Sequence, residues 1–229
     1  MRYRAVIFDL FGTLIENFSR AEYRRVLVEM ADIVGARADD FVRLWRETVE
    51  ARMTGAFASM EASVEHICKA LGLGADASQT GAAAEVRLDF TRRALRPREG
   101  ALETLTELRK RDCKIGLISD CTLEVPALWD ESPFAPLVDE AVFSCIARVR
   151  KPDPRIYGMA CARLGVRPEE CVYVGDGSSG ELTGAARVGM HPVLLRVPYE
   201  DPKEWERAEA EEWEGAKVSA LRETLSLVE

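Results

Sequence analysis

Short apolar segments rich in valine, isoleucine and leucine recur along this chain and limit its possible folds more than any other feature. The segments are RAVIF (4–8), KIGLIS (114–119), EAVFS (140–144), CVYVG (171–175) and HPVLLRV (191–197). Runs of this kind, without polar alternation, are typical of strands buried on both faces of a parallel sheet. The later runs are separated by amphipathic stretches, each long enough for one crossover helix, near 99–111, 154–164 and 179–188. This alternation predicts an α/β fold with a doubly wound parallel sheet.

Residues 17–96 interrupt the alternation, because they contain helical patterns and no clear strand. The patterns are AEYRRVLVEMADIV (21–34), ADDFVRLWRETVEARM (38–53), SMEASVEHICKALGL (59–73) and AAAEVRLDFTRRAL (82–95). We therefore expect a core domain built from residues 1–16 and 97–229, and a small helical domain from residues 17–96 inserted after the first strand. The bend at Arg96-Pro97 is the expected second boundary.

Composition and charge narrow the class of protein. The formal net charge is -8 and no basic stripe is present, which argues against nucleic acid as a partner. No apolar stretch reaches the roughly 18 residues that a membrane span needs, and the first residues lack the pattern of a signal peptide. We expect a soluble, cytoplasmic protein that is a monomer or a homodimer. The six cysteines form no C-x-x-C pair, so we interpret them as buried free thiols.

The acidic segment DPKEWERAEAEEWEG (201–215), followed by AKVSALRETL (216–225), predicts two surface helices, or one helix and a tail. A run of charges like this one is usually a solvated face, and we interpret it in that way.

Polar residues follow several predicted strands, at the sheet edge where open α/β folds bind ligands. Asp9, Ser119 and Asp176 each stand at such a strand end, and Gly12-Thr13 allow a tight turn that aims a hydroxyl at the same point. If the first and fourth strands are neighbours, Asp9 and Asp176 form a pair of hard oxygen ligands suited to Mg²⁺. Lys151, just before a helix that begins with proline, offers a positive charge for a phosphoryl oxygen. The pattern predicts a carboxylate nucleophile with a metal beside it.

Four segments in this order and spacing resemble the motifs of the haloacid dehalogenase superfamily of hydrolases, from Val6 to about Val193. The segments are FDLFGTL (8–14), LISD (117–120), KPDPRIY (151–157) and VGDGSSGEL (174–182). The resemblance implies a Rossmann-like core with a four-helix cap, and an enzyme that acts on a small molecule. It implies Asp9 as the nucleophile, with Ser119 and Lys151 holding the transferred group. We also count Thr13 among the catalytic residues, since its hydroxyl faces the same point.

The resemblance also implies a metal site. Its ligands would be Asp9, the backbone carbonyl of Phe11 and Asp176, with Glu181 supporting the ion through water or through Lys151. The expected cofactor is Mg²⁺ and the expected substrate is a small phosphorylated metabolite.

Phe11 departs from the family pattern, because phosphatases of the superfamily carry a second aspartate two residues after the nucleophile. That aspartate protonates the leaving group, and general acid help is worth roughly 10² to 10⁴ in rate. Dehalogenases of the superfamily carry an aromatic tyrosine at this position, but they replace the first acid of the fourth motif with serine, whereas Asp176 is kept here. We favour a phosphatase, with a dehalogenase acting at carbon and a weakly active or non-catalytic binding protein as the alternatives.

A second motif competes with this interpretation. Residues 175–180, GDGSSG, match the glycine fingerprint of dinucleotide-binding folds, and Glu200 lies about twenty residues further on. Too few residues follow for the rest of a nucleotide-binding half, and the Asp176 carboxylate would meet the pyrophosphate. We therefore do not favour an oxidoreductase.

Overall fold

A computed structural model describes residues 3–198 and 207–228, and the core of this part is one parallel sheet. Its six strands lie in the order β3-β2-β1-β4-β5-β6, and every neighbouring pair is parallel. The strands are β1 (Ala5–Phe8), β2 (Lys114–Ser119), β3 (Glu140–Phe143), β4 (Cys171–Gly175), β5 (His191–Leu195) and β6 (Ala216–Val218). The predicted doubly wound α/β fold is confirmed.

The central strand β1 shows why the apolar runs lack polar alternation. Val6 and Phe8 pack into one apolar cluster, and Ala5 and Ile7 pack into another on the opposite face. All four side chains are fully buried. Helices therefore cover both faces of the sheet, as the continuous hydrophobic runs require.

The helices of the sheet region are short and follow the strands. They are α6 (Ala101–Lys110), α7 (Glu124–Leu128), α8 (Ser144–Ala147), α9 (Pro154–Leu164) and α10 (Glu181–Arg187). The predicted helices near 99–111 and 154–164 match α6 and α9. Helix α10 begins two residues later than predicted, because Ser179 and Gly180 have positive φ angles of 57° and 64°.

Between β1 and α6 the chain forms helices only. They are α1 (Arg20–Ile33), α2 (Ala38–Glu47), α3 (Val49–Met53), α4 (Met60–Ala70) and α5 (Ala77–Ala94), and they enclose an apolar cluster of their own. The sequence predicts one helix over 38–53, whereas two are found. The Thr48 hydroxyl between them donates to the carbonyl of Leu44 at 2.8 Å, a side-chain bond of the kind that bends helices.

The prediction for the C-terminal residues is wrong. Residues 216–218 form β6, which pairs with β5, and a 3₁₀ helix over Leu221–Val228 packs on the core. Ala216 and Val218 are less exposed than Lys217 between them, which is the alternation of faces expected of a strand. Within the described residues 207–215, the short helix α11 (Ala208–Glu212) is the only helix. Among the helices of the described residues, none combines the length and apolarity needed to cross a membrane.

Candidate active site

The carboxyl ends of β1, β2 and β4 meet at one edge of the sheet. Asp9 directly follows β1, Ser119 is the last residue of β2, and Asp176 directly follows β4. Because β1 pairs with both other strands, the topology brings these three side chains to one place, and all three are buried.

Asp9 is held by two side chains of the predicted site. The ammonium of Lys151 donates to Asp9 Oδ1 at 2.6 Å, and the hydroxyl of Thr13 donates to Asp9 Oδ2 at 3.3 Å. Gly12, between Asp9 and Thr13, has a φ angle of +80°, and a Cβ atom there would lie 2.1 Å from Asp176 Oδ2. Only glycine allows the loop to approach Asp176 this closely.

Arg98 also holds this loop, although no motif in the sequence indicates it. Its guanidinium is buried and donates to the backbone carbonyl oxygens of Thr13 and Gly12, each at 3.0 Å. The residue lies 85 positions from Thr13 and next to a bend, so no local sequence pattern indicates the contact.

Lys151 bridges Asp9 to Glu181. Its ammonium donates to Glu181 Oε2 at 2.6 Å, and the hydroxyl of Tyr173 donates to the same oxygen at 2.8 Å. The other oxygen, Oε1, accepts from the amide of Gly177 at 3.0 Å. A Cβ atom on Gly175 would lie 2.2 Å from Glu181 Oε1, so this glycine leaves space for the carboxylate.

Asp120 fixes the backbone at Lys151, a role that its position after β2 does not predict. Its Oδ1 accepts from the amide of Lys151 at 3.0 Å, and its Oδ2 accepts from Arg150 Nε at 3.3 Å. The residue after β2 thereby positions the lysine contributed by the loop before α9. The motifs LISD and KPDPRIY contain these two residues but give no hint of the contact, because the contact joins positions 31 residues apart.

Burial shapes the charges of these groups. It raises the pKa of Asp9 to about 6, while the charge of Lys151 acts in the opposite direction. Burial alone would lower the pKa of Lys151, but Asp9 and Glu181 together raise it well above its usual value. Lys151 therefore stays protonated at neutral pH, and Asp9 is an ionised carboxylate able to act as a nucleophile.

Asp9, Asp176 and Glu181 form a group of buried carboxylates that fits a metal ion. One oxygen from each lies within 4.8 Å of the others. Carboxylate oxygens are the hard donors that Mg²⁺ prefers, and the donor set therefore fits the expected ion. Phe11 lies beside them and packs edge-on against Phe18, with ring centroids 5.9 Å apart. Its carbonyl as a metal ligand stays a prediction.

The Ser119 hydroxyl is fully buried and makes no hydrogen bond within the described part of the chain. The Cys121 thiol lies close enough for this hydroxyl to influence its ionisation. A sulfur is a weak acceptor, so the hydroxyl keeps its capacity to donate to a ligand oxygen. A buried polar atom without a partner is rare and fits a site that is completed by its substrate.

The acidic C-terminal segment contacts this site, contrary to its interpretation as a solvated face. Arg207 Nε lies 2.9 Å from Asp176 Oδ2, and the Glu209 carboxylate accepts from the amides of Leu182 and Thr183 at 3.0 and 2.7 Å. Charged residues within 207–211 thus bind this segment to the site, which a run of charges in the sequence does not reveal.

The glycine-rich segment 175–180 makes room for the Glu181 carboxylate and donates a hydrogen bond to it. Glu181 Oε1 occupies the space beside Gly175 and Gly177, where the dinucleotide interpretation would require a pyrophosphate. Glu200, the acidic residue of that interpretation, lies outside the described residues.

The comparisons with known proteins agree on the family. The family model described as haloacid dehalogenase-like hydrolase matches residues 3–189. The glyceraldehyde 3-phosphate phosphatase of Methanopyrus kandleri is 30% identical over 198 residues, which cover 84% of this chain and 84% of that protein. The (S)-2-haloacid dehalogenase 4A of Burkholderia cepacia is 28% identical over 208 residues, 87% of this chain and 86% of that protein.

The solved structures include an HAD phosphatase from Thermococcus onnurineus, with a TM-score of 0.66 and 19% identity. The match covers 98% of this chain and 97% of that one. At this identity the likeness concerns the fold alone. The relatives thus include phosphatases as well as dehalogenases, and the choice between the two activities depends on the residues of this site.

Proposed function

The chain belongs to the haloacid dehalogenase-like hydrolases, and on that premise we propose that it is a Mg²⁺-dependent phosphatase of a small phosphorylated metabolite. The observation that carries the proposal is the buried cluster of Asp9, Asp176 and Glu181. Lys151 and Arg207 pair with these carboxylates, yet hard oxygen donors gathered in one place still suit a divalent cation. Such a cation would also offset the negative oxygens that a phosphorylated substrate brings.

Asp9 is the proposed nucleophile. Its carboxylate oxygen attacks phosphorus, the bond between phosphorus and the leaving oxygen breaks, and an aspartyl-phosphate forms on Asp9. Water then attacks the phosphorus, which releases inorganic phosphate and restores the carboxylate. We propose that the Lys151 ammonium and the Ser119 hydroxyl, both buried, hold the transferred oxygens. Mg²⁺ bound by Asp9 and Asp176, with Glu181 nearby, would neutralise part of the phosphate charge.

We further propose that residues 17–96 form a cap that closes over the strand ends and sets substrate specificity. Two contacts between this region and the core support the proposal. Arg150, beside the proposed site, is paired with Glu50 of the helical region, and Arg87 Nε of α5 lies 2.9 Å from Glu124 Oε1 of α7. Closure of this kind excludes water from the reacting groups.

Phe11 keeps the dehalogenase alternative open. An aromatic ring at this position cannot donate a proton to a leaving alkoxide, but a halide leaves without one. In that reaction Asp9 would attack carbon, halide would leave, and water would hydrolyse the resulting ester. Asp176 favours the phosphatase, because a second carboxylate beside Asp9 calls for a divalent cation. Such a cation offsets the negative oxygens of a phosphoryl group, whereas displacement of halide from carbon does not need it.

The test is phosphate release from a broad panel of phosphorylated metabolites, with Mg²⁺ or with EDTA. We expect release by the wild type with Mg²⁺, none with EDTA, and none by Asp9→Asn, whose amide is a poor nucleophile. Asp130→Asn is the matched control, because Asp130 is exposed on the core surface. Halide release from 2-haloacids in EDTA would instead establish the dehalogenase, and the absence of both products would contradict each enzymatic proposal.

A further inference from the structure

We propose that Arg207 is a built-in counter-cation that competes with the divalent cation for one oxygen of Asp176, so that the segment 207–212 sets the metal affinity of the site. The inference rests on the metal site of the proposed function. It concerns a residue that no strand end or motif contributes.

The two oxygens of Asp176 have different surroundings. Oδ1 accepts from the amide of Ser178 at 2.9 Å, which fixes it within its own loop. Oδ2 points to the loop that follows Asp9, because a Cβ atom on Gly12 would lie 2.1 Å from it. A cation shared by Asp9 and Asp176 would therefore bind Oδ2. Arg207 Nε lies 2.9 Å from this same oxygen.

Arg207 is held in this position by its own segment. Its side chain is 13% exposed and the Asp176 side chain is fully buried, so solvent screens the pair only weakly. Two residues later, Glu209 accepts from the amides of Leu182 and Thr183. Ala210 packs so closely on Gly177 that a Cβ atom there would lie 2.9 Å from the Ala210 Cβ. The segment thus contacts Gly177, directly after Asp176, and the first turn of α10.

The charges of the site show what this contact does. Lys151 serves two carboxylates, Asp9 and Glu181, and Asp176 has Arg207 as its cation. Loss of Arg207 would remove one positive charge from this buried group and leave Asp176 without its cation. Because attraction between buried charges is strong, we expect loss of the guanidinium to tighten divalent cation binding about tenfold.

The test is a titration of the full-length protein with Mn²⁺ in the absence of substrate. The electron paramagnetic resonance signal of the free ion measures how much Mn²⁺ is bound. Arg207→Gln removes the charge and Arg207→Lys keeps it. Arg196→Gln is the matched control, because Arg196 pairs with Glu211 of the same segment at 2.8 Å. Asp176→Asn reports whether the ion binds at this site at all.

We expect Arg207→Gln to bind Mn²⁺ about tenfold more tightly than the wild type, since the buried site then has one more net negative charge. Arg207→Lys and Arg196→Gln are expected to match the wild type. An affinity of Arg207→Gln that equals or falls below that of the wild type overturns the inference and leaves the metal site intact. If neither protein binds Mn²⁺, or if Asp176→Asn binds it unchanged, the metal site fails and the inference fails with it.

A second measurement needs no variant of Arg207, in case that variant does not fold. Hydrogen exchange of the wild type is compared with and without saturating Mg²⁺. Competition for Asp176 Oδ2 predicts faster amide exchange over 207–212 when Mg²⁺ is bound, and no such change in Asp176→Asn. Unchanged or slower exchange in the wild type overturns the inference.

Discussion

Two groups of buried charges occur in this molecule, and they differ in origin and in chemistry. The strand-end cluster comprises Asp9, Lys151, Asp176, Glu181 and Arg207, at the carboxyl edge of the sheet. The helical cluster comprises Arg52 of α3, Arg87 of α5 and Glu124 of α7, where the helical region meets the core. Both remove charge from water, which costs free energy unless the charges are paired.

The helical cluster pairs its charges less completely. Arg87 Nε lies 2.9 Å from Glu124 Oε1, yet neither Glu124 oxygen accepts a well-directed hydrogen bond from the described residues, so the contact is ionic. Arg52 donates to the Trp45 carbonyl at 2.7 Å and lies 4.0 Å above the centre of the Trp45 ring. Burial lowers the pKa of Arg52 to about 10, which still leaves it charged at neutral pH.

The difference teaches that burial of charge does not by itself indicate catalysis. The strand-end cluster has carboxylate oxygens converging on one point, beside a buried hydroxyl that can donate to a ligand. The helical cluster has one ion pair, Arg87 with Glu124, and its two arginines contact aromatic rings and backbone. We therefore assign chemistry to the first cluster and attachment of the helical region to the second.

The largest effect is expected for Lys151→Met, which removes one charge and keeps a similar shape. Turnover falls about 10²- to 10³-fold, because a preorganised cation at the transferred oxygens is lost. The free energy of unfolding falls by about 3 kcal/mol, since Asp9 and Glu181 lose their buried partner. Steady-state kinetics and urea unfolding measure the two changes. Lys69→Met, at an exposed position of α4, is the control; turnover within tenfold of the wild type would contradict the assignment.

Glu124→Gln tests the helical cluster. We expect the free energy of unfolding to fall by about 3 kcal/mol, because the buried Arg87 loses its counter-ion. The rate of the chemical step stays within about twofold of the wild type, since Glu124 belongs to the attachment and not to the reacting groups; rapid-quench single-turnover kinetics measure it.

The double variant Arg87→Met with Glu124→Leu sharpens the same test. A buried ion pair replaced by apolar residues of similar volume is often neutral, so stability returns to within about 1 kcal/mol of the wild type. A double variant that stays as unstable as Glu124→Gln would show that this pair is more than a replaceable attachment.

Phe11→Asp supplies the acid that the strand-end cluster lacks. We expect phosphate release to rise about tenfold, because the new carboxyl can protonate the leaving group. The gain is small for general acid catalysis, because the loop accommodates a phenylalanine ring and does not position a carboxyl group. Loss of the contact with Phe18 lowers stability by about 1 kcal/mol. Phe11→Asn has the same size and no acidic proton. Equal rates for the two variants would mean that the leaving group needs no acid from this position.

The smallest effect is expected for Ser119→Ala. Stability stays within about 0.5 kcal/mol, since the hydroxyl has no partner to lose within the described residues, while the substrate KM rises about fivefold. Ser144→Ala is the matched control, because this buried hydroxyl bonds the amide and carbonyl of Cys121 at 3.0 and 3.2 Å. Denaturation and substrate titration compare the two. A stability loss at Ser119 equal to that at Ser144 would contradict its assignment to the substrate.

The contrast between the clusters also explains how much the sequence can predict. Asp9, Ser119 and Asp176 follow strands, and parallel strands deliver their ends to one edge, so topology alone brings these residues together. Glu181 and the carbonyl of Phe11 entered only through the family resemblance. Arg52, Arg87 and Glu124 meet because of the rotation and packing of separate helices, which the spacing of residues does not fix.

Two further arginines of the site and strand β6 could not be predicted either, for similar reasons. Arg98 and Arg207 reach the site from distant segments, so their contacts are set by tertiary packing. Strand β6 is only three residues long, and such a short alternation cannot be distinguished from a helix by periodicity.

The central claim is that Asp9 accepts a phosphoryl group beside a divalent cation, and beryllium fluoride tests it without knowledge of the substrate. Beryllium fluoride bonds to an aspartate oxygen as a phosphoryl group would, and a ligand that binds the folded state raises the melting temperature. We expect a rise for the wild type only when Mg²⁺ and beryllium fluoride are both present, and none for Asp9→Asn. A rise that persists in Asp9→Asn or without Mg²⁺, or no rise in the wild type, would contradict it.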